Sequence, residues 1–247
     1  MKQVPKYAII GNGRFARHIA HYLTLLKINF LQWARKTHSL DDLKTTISQS
    51  SHILLLISDK AITSFIEENP FLKYKTLIHF SGSLVTPLAF GTHPLMTFPS
   101  DLYDLKTYTT IPFIYDDNAP PFYQLFPQLP NPHYPLPPSL KSFYHTLCVM
   151  SNNFTTLLWQ KFYQELTQTL NLPTHVIHPI LQKTLQNLIT NPHSALTGPL
   201  ARNDQSTITA NLQSLENDPF QNIYKAFLET YNLSSSKNTI NSEFINH

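Results

Sequence analysis

Three groups of residues in this 247-residue chain could do chemistry. The first is Gly11-Asn12-Gly13-Arg14-Phe15-Ala16, a G-x-G-x-x-A spacing that follows directly on the apolar run Tyr7–Ile10. After a strand, such a segment turns tightly at Gly11 and leaves bare main chain at Gly13 for a pyrophosphate. Ala16 lets the following helix pack closely. The N–H groups of that helix's first turn and the positive end of its dipole then face the phosphates. The spacing therefore points to a dinucleotide.

The second group decides which dinucleotide. An NAD site carries a carboxylate at the end of the second strand, for the ribose 2′-hydroxyl, and an NADP site carries arginine there. Here the strand ends Gln32-Trp33-Ala34-Arg35-Lys36, with two cations and no acid. A guanidinium can hold two oxygens of a 2′-phosphate, so NADP(H) is the expected cofactor. The alternative for Arg35 and Lys36 is a pair of solvated loop residues. Ser58-Asp59, after the apolar run Ile53–Ile57, is placed to reach the cofactor backbone, or to cap a helix.

The third group lies downstream, in Tyr144, His145, Cys148, Ser151 and Asn152. On a regular helix His145, Cys148 and Asn152 share a face. His145 could supply a proton as a general acid; Asn152 could orient a carbonyl. The other reading of His145 is a buried residue linking two helices. Arg202 and Asp204, in Leu196-Thr197-Gly198-Pro199-Leu200-Ala201-Arg202-Asn203-Asp204, could clamp a substrate carboxylate. Asp204 could equally be the cap of the next helix. Ser81, in His79-Phe80-Ser81-Gly82, is placed to contact substrate or the nicotinamide ribose. His93-Pro94 reads as strand-end packing. His175 and His178 lack a third ligand, and no metal is expected.

The elements that must position these groups alternate. Tyr7–Ile10, Asn29–Trp33, Ile53–Ile57 and Thr76–Phe80 read as strands, with His93–Phe98 and Pro112–Tyr115 as later candidates. Arg14–Leu26, Leu40–Gln49 and Lys60–Glu68 read as helices between them. The fold class is α/β, an N-terminal Rossmann-type doubly wound parallel sheet followed by an all-helical part. Eight of the nineteen prolines fall between Pro120 and Pro138, which reads as a linker. Helical segments follow over about 139–170, 179–189 and 219–231. The expected organisation is 1–118 cofactor domain, 119–138 linker, 139–233 helical substrate and dimerisation domain, and 234–247 flexible tail.

Composition sets outer limits. Hydrophobic residues make up 42% and charged residues 13%, a thinly charged chain that suits a homodimer. A net charge of +3 without a basic run argues against nucleic acid. The single cysteine, Cys148, excludes an internal disulfide and fits a reducing compartment. No run is long enough to cross a bilayer and no secretory apolar region precedes Gly11, so a soluble cytoplasmic protein is expected.

Together, Gly11-Asn12-Gly13-Arg14, His79-Phe80-Ser81-Gly82, His93-Pro94-Leu95 with Phe98, Tyr144-His145 with Ser151-Asn152, and Leu196-Thr197-Gly198-Pro199 with Arg202 and Asp204 resemble a known family. It is the Rossmann-like NADP oxidoreductase-type group with a C-terminal domain of unknown function. That group is related to the alternative ketopantoate reductases and to the 6-phosphogluconate dehydrogenase-like superfamily. Asn203 stands where the family usually has glycine. The resemblance implies NADPH-dependent reduction of a small 2-oxo acid, foremost 2-dehydropantoate in pantothenate biosynthesis. It raises His145 and Asn152 as catalytic residues and Arg202 as the carboxylate clamp. The rival readings are a pyrroline-5-carboxylate-type imine reductase and a non-catalytic NADP-binding sensor or scaffold.

Overall fold

The structure, a computed structural model, describes residues 4–243, with side chains through Leu233. It divides into two compact units, residues 1–160 and 161–247.

In the first unit, strand and helix alternate as the apolar spacing requires: β1 (Tyr7–Ile10), α1 (Arg14–Leu25), β2 (Phe30–Trp33), α2 (Leu40–Ser48), β3 (His52–Leu55), α3 (Asp59–Glu68) and β4 (Thr76–His79). Then come β5 (Phe90–Pro94), α4 (Leu105–Thr110), β6 (Phe113–Asp116), α5 (Phe122–Leu125), β7 (His133–Leu136) and α6 (Lys141–Cys148). The strands form one sheet in the order β2-β1-β3-β4-β5-β6-β7, parallel except where β5 meets β6. The order of strand addition reverses between the parallel strands β1 and β3, which opens a crevice at their carboxyl ends.

Successive side chains of a strand point to opposite faces. Tyr7 and Ile9 join Leu23, Leu54, Ile78, Phe113 and Phe126 in one core. Ala8 and Ile10 join Leu43, Ile47, Ile53, Leu55 and Ile62 in the other. Burial on both faces explains why β1 and β3 are continuous apolar runs rather than alternating ones. α2 begins on a capping box: Ser39 Oγ accepts from the Asp42 N–H at 3.1 Å, and the Ser39 N–H donates to the Asp42 carboxylate at 2.8 Å.

Three sequence expectations change in the first unit. The fifth strand is Phe90–Pro94 rather than 93–98; proline ends it. The proline stretch 119–138 is not a linker. It supplies the buried Phe122, Leu125 and Phe126, and then β7, which pairs with β6 from Phe113↔His133 to Asp116↔Leu136. Asn131, 2% exposed, pins it: its amide donates to the Tyr108 and Ile111 carbonyls at 2.8 and 2.9 Å, and it accepts from Tyr22 Oη. Prolines are admitted because β7 is an edge strand, where a missing N–H costs no ladder bond.

The third change concerns the long helix. It runs from Lys141 through a π-helical segment, 149–154, into α7 (Thr155–Gln168). The wider π turn breaks the 3.6-residue register.

The second unit begins inside α7 and holds α8 (His178–Thr190), α9 (Gln205–Ser214) and α10 (Phe220–Glu243). Lys161 pairs with Glu165 at 2.8 Å and Asp218 at 2.5 Å, and lies over the Phe220 ring. The tail expected from residue 234 is helical as far as Glu243, and residues 244–247 lie outside the described residues. No described helix is long and apolar enough to cross a membrane.

Candidate functional site

The crevice between β1 and β3 is a cleft of about 650 Å³. Its lining includes every residue expected to hold a cofactor: Gly11, Asn12, Gly13, Arg14, Phe15 and Ala16, then Arg35 and Lys36, then Ser58 and Asp59; Ser81 lines it too. Gly11 has φ +127°, and a Cβ there would stand 2.3 Å from the Leu56 carbonyl oxygen. Only glycine makes this turn without displacing β3. The Gly11 N–H donates to the Trp33 carbonyl at 2.8 Å, and Gln32 Nε2 donates to the Gly11 carbonyl at 2.8 Å. Gln32 therefore braces the turn from β2, a role its sequence position did not signal.

Gly13 is the N-cap of α1. No side chain caps that helix, and a Cβ on Gly13 would meet nothing within 4 Å. Uncapped N–H groups at a helix start, opening on free space, suit an anion. Arg14, Arg35 and Lys36 add positive charge to the same cleft. Volume and the lining cations fit a dinucleotide with an extra phosphate.

At the other end, Ser81 donates to the Asp59 carboxylate and accepts from the N–H groups of Ser83 and Leu84 at 3.3 and 3.0 Å. The Ser81 hydroxyl is thus committed to shaping its own turn and to fixing Asp59. Asp59 is the first residue of α3; Ser58 is its N-cap, without a side-chain cap bond.

One residue on, at Gly82, the sheet meets α6. A Cβ on Gly82 would lie 2.5 Å from His145 Cδ2 and 3.1 Å from His93 Cδ2. The rings of His93 and His145 are 6.0 Å apart at 81°. His93 Nδ1 is 2.8 Å from Tyr144 Oη. Burial, then His145 and Lys141, pull His93 down to about 4, against a small opposing effect of Asp59. Tyr144 is pushed well above its usual range by burial and by its hydrogen bond with Cys148.

Beneath this cluster lies a buried ion pair that the sequence did not suggest. Lys141, 3% exposed, places its ammonium 2.8 Å from Asp116, whose other oxygen accepts the Gly91 N–H at 2.7 Å. His79 is fully buried, and its Nε2 has no hydrogen-bond partner. Its Nδ1 faces the Ser81 N–H at 3.3 Å. Desolvation and the Lys141 ammonium depress it to about 4. A lysine at a helix start reads as solvated; only its placement against Asp116 buries it.

Asn152 falls in the π segment, is exposed, and donates only to Asn153 Oδ1 at 3.4 Å, so it does not continue the face of His145. Arg202 and Asp204 belong to the second unit. Asp204 caps α9, accepting from the Thr207 N–H at 3.1 Å and from the hydroxyls of Thr207 and Ser206, both at 2.8 Å. Those bonds hold its carboxyl below the usual range. Asn203 takes the left-handed backbone expected at the family's glycine, with φ +53°. Arg202 is exposed, and its N–H donates to the Gly198 carbonyl at 3.2 Å.

Comparison with known proteins agrees with this architecture. The family profile described as "Domain of unknown function (DUF2520)" matches residues 116–230. No curated protein matches. Among solved structures, the chain is similar to a proposed NADP oxidoreductase of Bacteroides fragilis, at 20% identity and TM-score 0.74, over 92% of this chain and 97% of that one. It is also similar to an imine reductase of Myxococcus stipitatus in complex with NADP+, at 12% identity and TM-score 0.65, over 94% and 95%. A third is the pyrroline carboxylate reductase of Plasmodium falciparum with NADP bound, at 12% identity and TM-score 0.58, over 92% and 96%. The first unit thus has the Rossmann-like fold of NAD(P)-dependent oxidoreductases.

Proposed function

We propose that the protein is an NADPH-dependent reductase of a small, polarised C=O or C=N bond. The observation that carries the reading is the cleft itself: an obligatory glycine turn, an uncapped helix start over open space, and Arg14, Arg35 and Lys36 on one lining. Gly11 through Ala16 would hold the pyrophosphate, Arg35 and Lys36 the 2′-phosphate, and Ser58 and Asp59 the far ribose. NADPH, when bound, supplies a hydride to the substrate carbon. The π electrons of the double bond then move to its oxygen or nitrogen, which needs a proton.

His145, packed over Gly82 beside the Ser81 end of the cleft, is proposed to give that proton. On the resemblance, Asn152 is proposed to orient the substrate and Arg202 to clamp a carboxylate, while Ser81 acts by fixing Asp59 and Asp204 by capping the helix after Arg202. On the resemblance, 2-dehydropantoate is the first substrate to test. The low charge and the exposed apolar side chains of the second unit, among them Leu185, Ile189 and Phe227, support a homodimer.

One observation favours the imine alternative. Asp59 brings a carboxylate, fixed by Ser81, to the end of the cleft near Gly82. A negative charge there stabilises a cationic iminium and repels a 2-oxo acid. The test is NADPH and NADH binding by fluorescence titration, followed by NADPH consumption with 2-dehydropantoate and with 1-pyrroline-5-carboxylate. Indifference to NADPH removes the reading; turnover of one substrate alone decides between the two.

A further inference from the structure

We propose, resting on the reductase reading above, that His93 is a second catalytic residue: a neutral imidazole, locked by Tyr144 with its proton on Nε2, that donates a hydrogen bond to the reacting oxygen or nitrogen of the substrate.

The geometry starts at β5. Gly91 and His93 lie on one face of that strand, and His79 of β4 is in register with Gly91. α6 covers this face and brings Lys141, Tyr144 and His145, spaced i, i+3, i+4, onto it. Tyr144 Oη stands 2.8 Å from His93 Nδ1, with the rings 5.6 Å apart and nearly perpendicular. The opposite edge of the His93 ring faces Gly82: a Cβ there would be 3.2 Å from Nε2. Gly82 follows Ser81, which lines the cleft. The absence of a side chain at 82 is what lets the edge of His93 and the ring of His145 both pack against that position.

Which nitrogen carries the proton is set by the direction of the Tyr144 bond. Burial first, then the nearby His145 and Lys141, hold the ring neutral. The Tyr144 hydroxyl keeps its proton. A neutral hydroxyl can donate to Nδ1 or accept from it; Tyr144 is taken as the donor, as in the Tyr108–His18 pair, so that Nδ1 accepts and Nε2 holds the hydrogen.

The fold contains its own comparison. His18, also buried, has Nδ1 2.8 Å from Tyr108 Oη and Nε2 2.9 Å from the Pro99 carbonyl. A carbonyl accepts only from N–H, so His18 is the same tautomer with the same tyrosine arrangement. There the Nε2–H is consumed by backbone. At His93 no hydrogen bond of the described residues uses it, and it faces Gly82, next in the chain to the cleft-lining Ser81. A neutral imidazole is suited to stabilising charge that develops on the substrate atom, because it does so without repelling a cationic substrate. His145 can then transfer the proton.

The experiment is ¹⁵N NMR of the histidine rings in the full chain, with binding and kinetics on variants. The expected result is an Nε2–H signal for His93 in the wild type, and its loss or mixture with Nδ1–H in Tyr144→Phe. His93→Ala should lower kcat by about 10²–10³ with either 2-dehydropantoate or 1-pyrroline-5-carboxylate, whichever turns over, and leave the NADPH Kd within about twofold. His93→Gln, which restores an N–H donor, should recover part of the loss. An Nδ1–H signal in the wild type overturns the proposal even if no variant folds, and so does wild-type turnover by His93→Ala. Failure of the wild type to bind NADPH would sink the reductase reading instead, and the tautomer measurement tells the two failures apart.

Discussion

Gly11 and Gly13 are two residues apart and meet opposite surroundings, so one methyl group added at each separates folding from cofactor binding. At Gly11 the backbone has φ +127°, and the new Cβ would stand 2.3 Å from the Leu56 oxygen, where 3.4–4 Å is ordinary contact. The backbone strain costs about 1–3 kcal/mol. Forcing the turn away from β3 costs roughly 1–3 kcal/mol more. Gly11→Ala should therefore lose about 2–6 kcal/mol of stability by urea unfolding, and NADPH binding with it. At Gly13 the backbone is ordinary, φ −66° and ψ −178°, and the Cβ enters free space. Here alanine gains about 0.4–1 kcal/mol from a less mobile unfolded chain and loses a similar amount as a poor N-cap. Gly13→Ala should unfold within about 1 kcal/mol of the wild type. Its methyl group stands where a pyrophosphate must approach, so the NADPH Kd should rise at least about tenfold, or 1.4 kcal/mol. Wild-type NADPH affinity in Gly13→Ala would refute the placement of the pyrophosphate. Wild-type stability in Gly11→Ala would refute the turn.

Four further outcomes are expected. Arg35→Ala with Lys36→Ala should weaken NADPH binding by about 10–100-fold, the worth of one or two charged hydrogen bonds, and leave NADH binding nearly unchanged in the same titration. Lys141→Ala leaves Asp116 buried without its cation and should cost about 3–5 kcal/mol in urea; Lys141→Met with Asp116→Asn, which keeps the acceptor for Gly91, should recover most of it. His79 and His93 are held neutral at about 4 when folded, against 6.5 unfolded, so the unfolded chain binds more protons between those values. Stability is then full above about pH 6.5 and falls as pH drops toward 4, on the order of 3 kcal/mol for each histidine, and His79→Asn should flatten the slope in urea midpoints taken across that range. Light scattering after gel filtration should give twice the 28.4 kDa chain mass; a monomer at working concentration would remove the dimer.

The nucleotide end of the site is legible in the sequence because its signals are local. A turn that only glycine can make, a bare backbone position and the absence of an acid after β2 are each visible within a few residues, and all lie on one cleft. The catalytic end is less legible because it is assembled across distance. His93 reads as packing until Tyr144, fifty-one residues later, meets its Nδ1. Lys141 needs Asp116, on another element, to explain its burial. The expected alignment of His145 with Asn152 assumes an uninterrupted 3.6-residue period, which 149–154 does not keep. The proline stretch misleads because proline is a breaker of central strands, while the chain uses it at the margin of the sheet.

That margin has a consequence for how the protein behaves in a crowded solution. β7 ends the sheet, and an unpaired strand normally invites strands from other molecules to add to it. Pro135 lies within it, and Pro130, Pro132, Pro137 and Pro138 flank it, so little amide hydrogen is left along the outer border to template growth. The same residues that keep this segment from looking like a strand guard the folded molecule against fibrillar self-association.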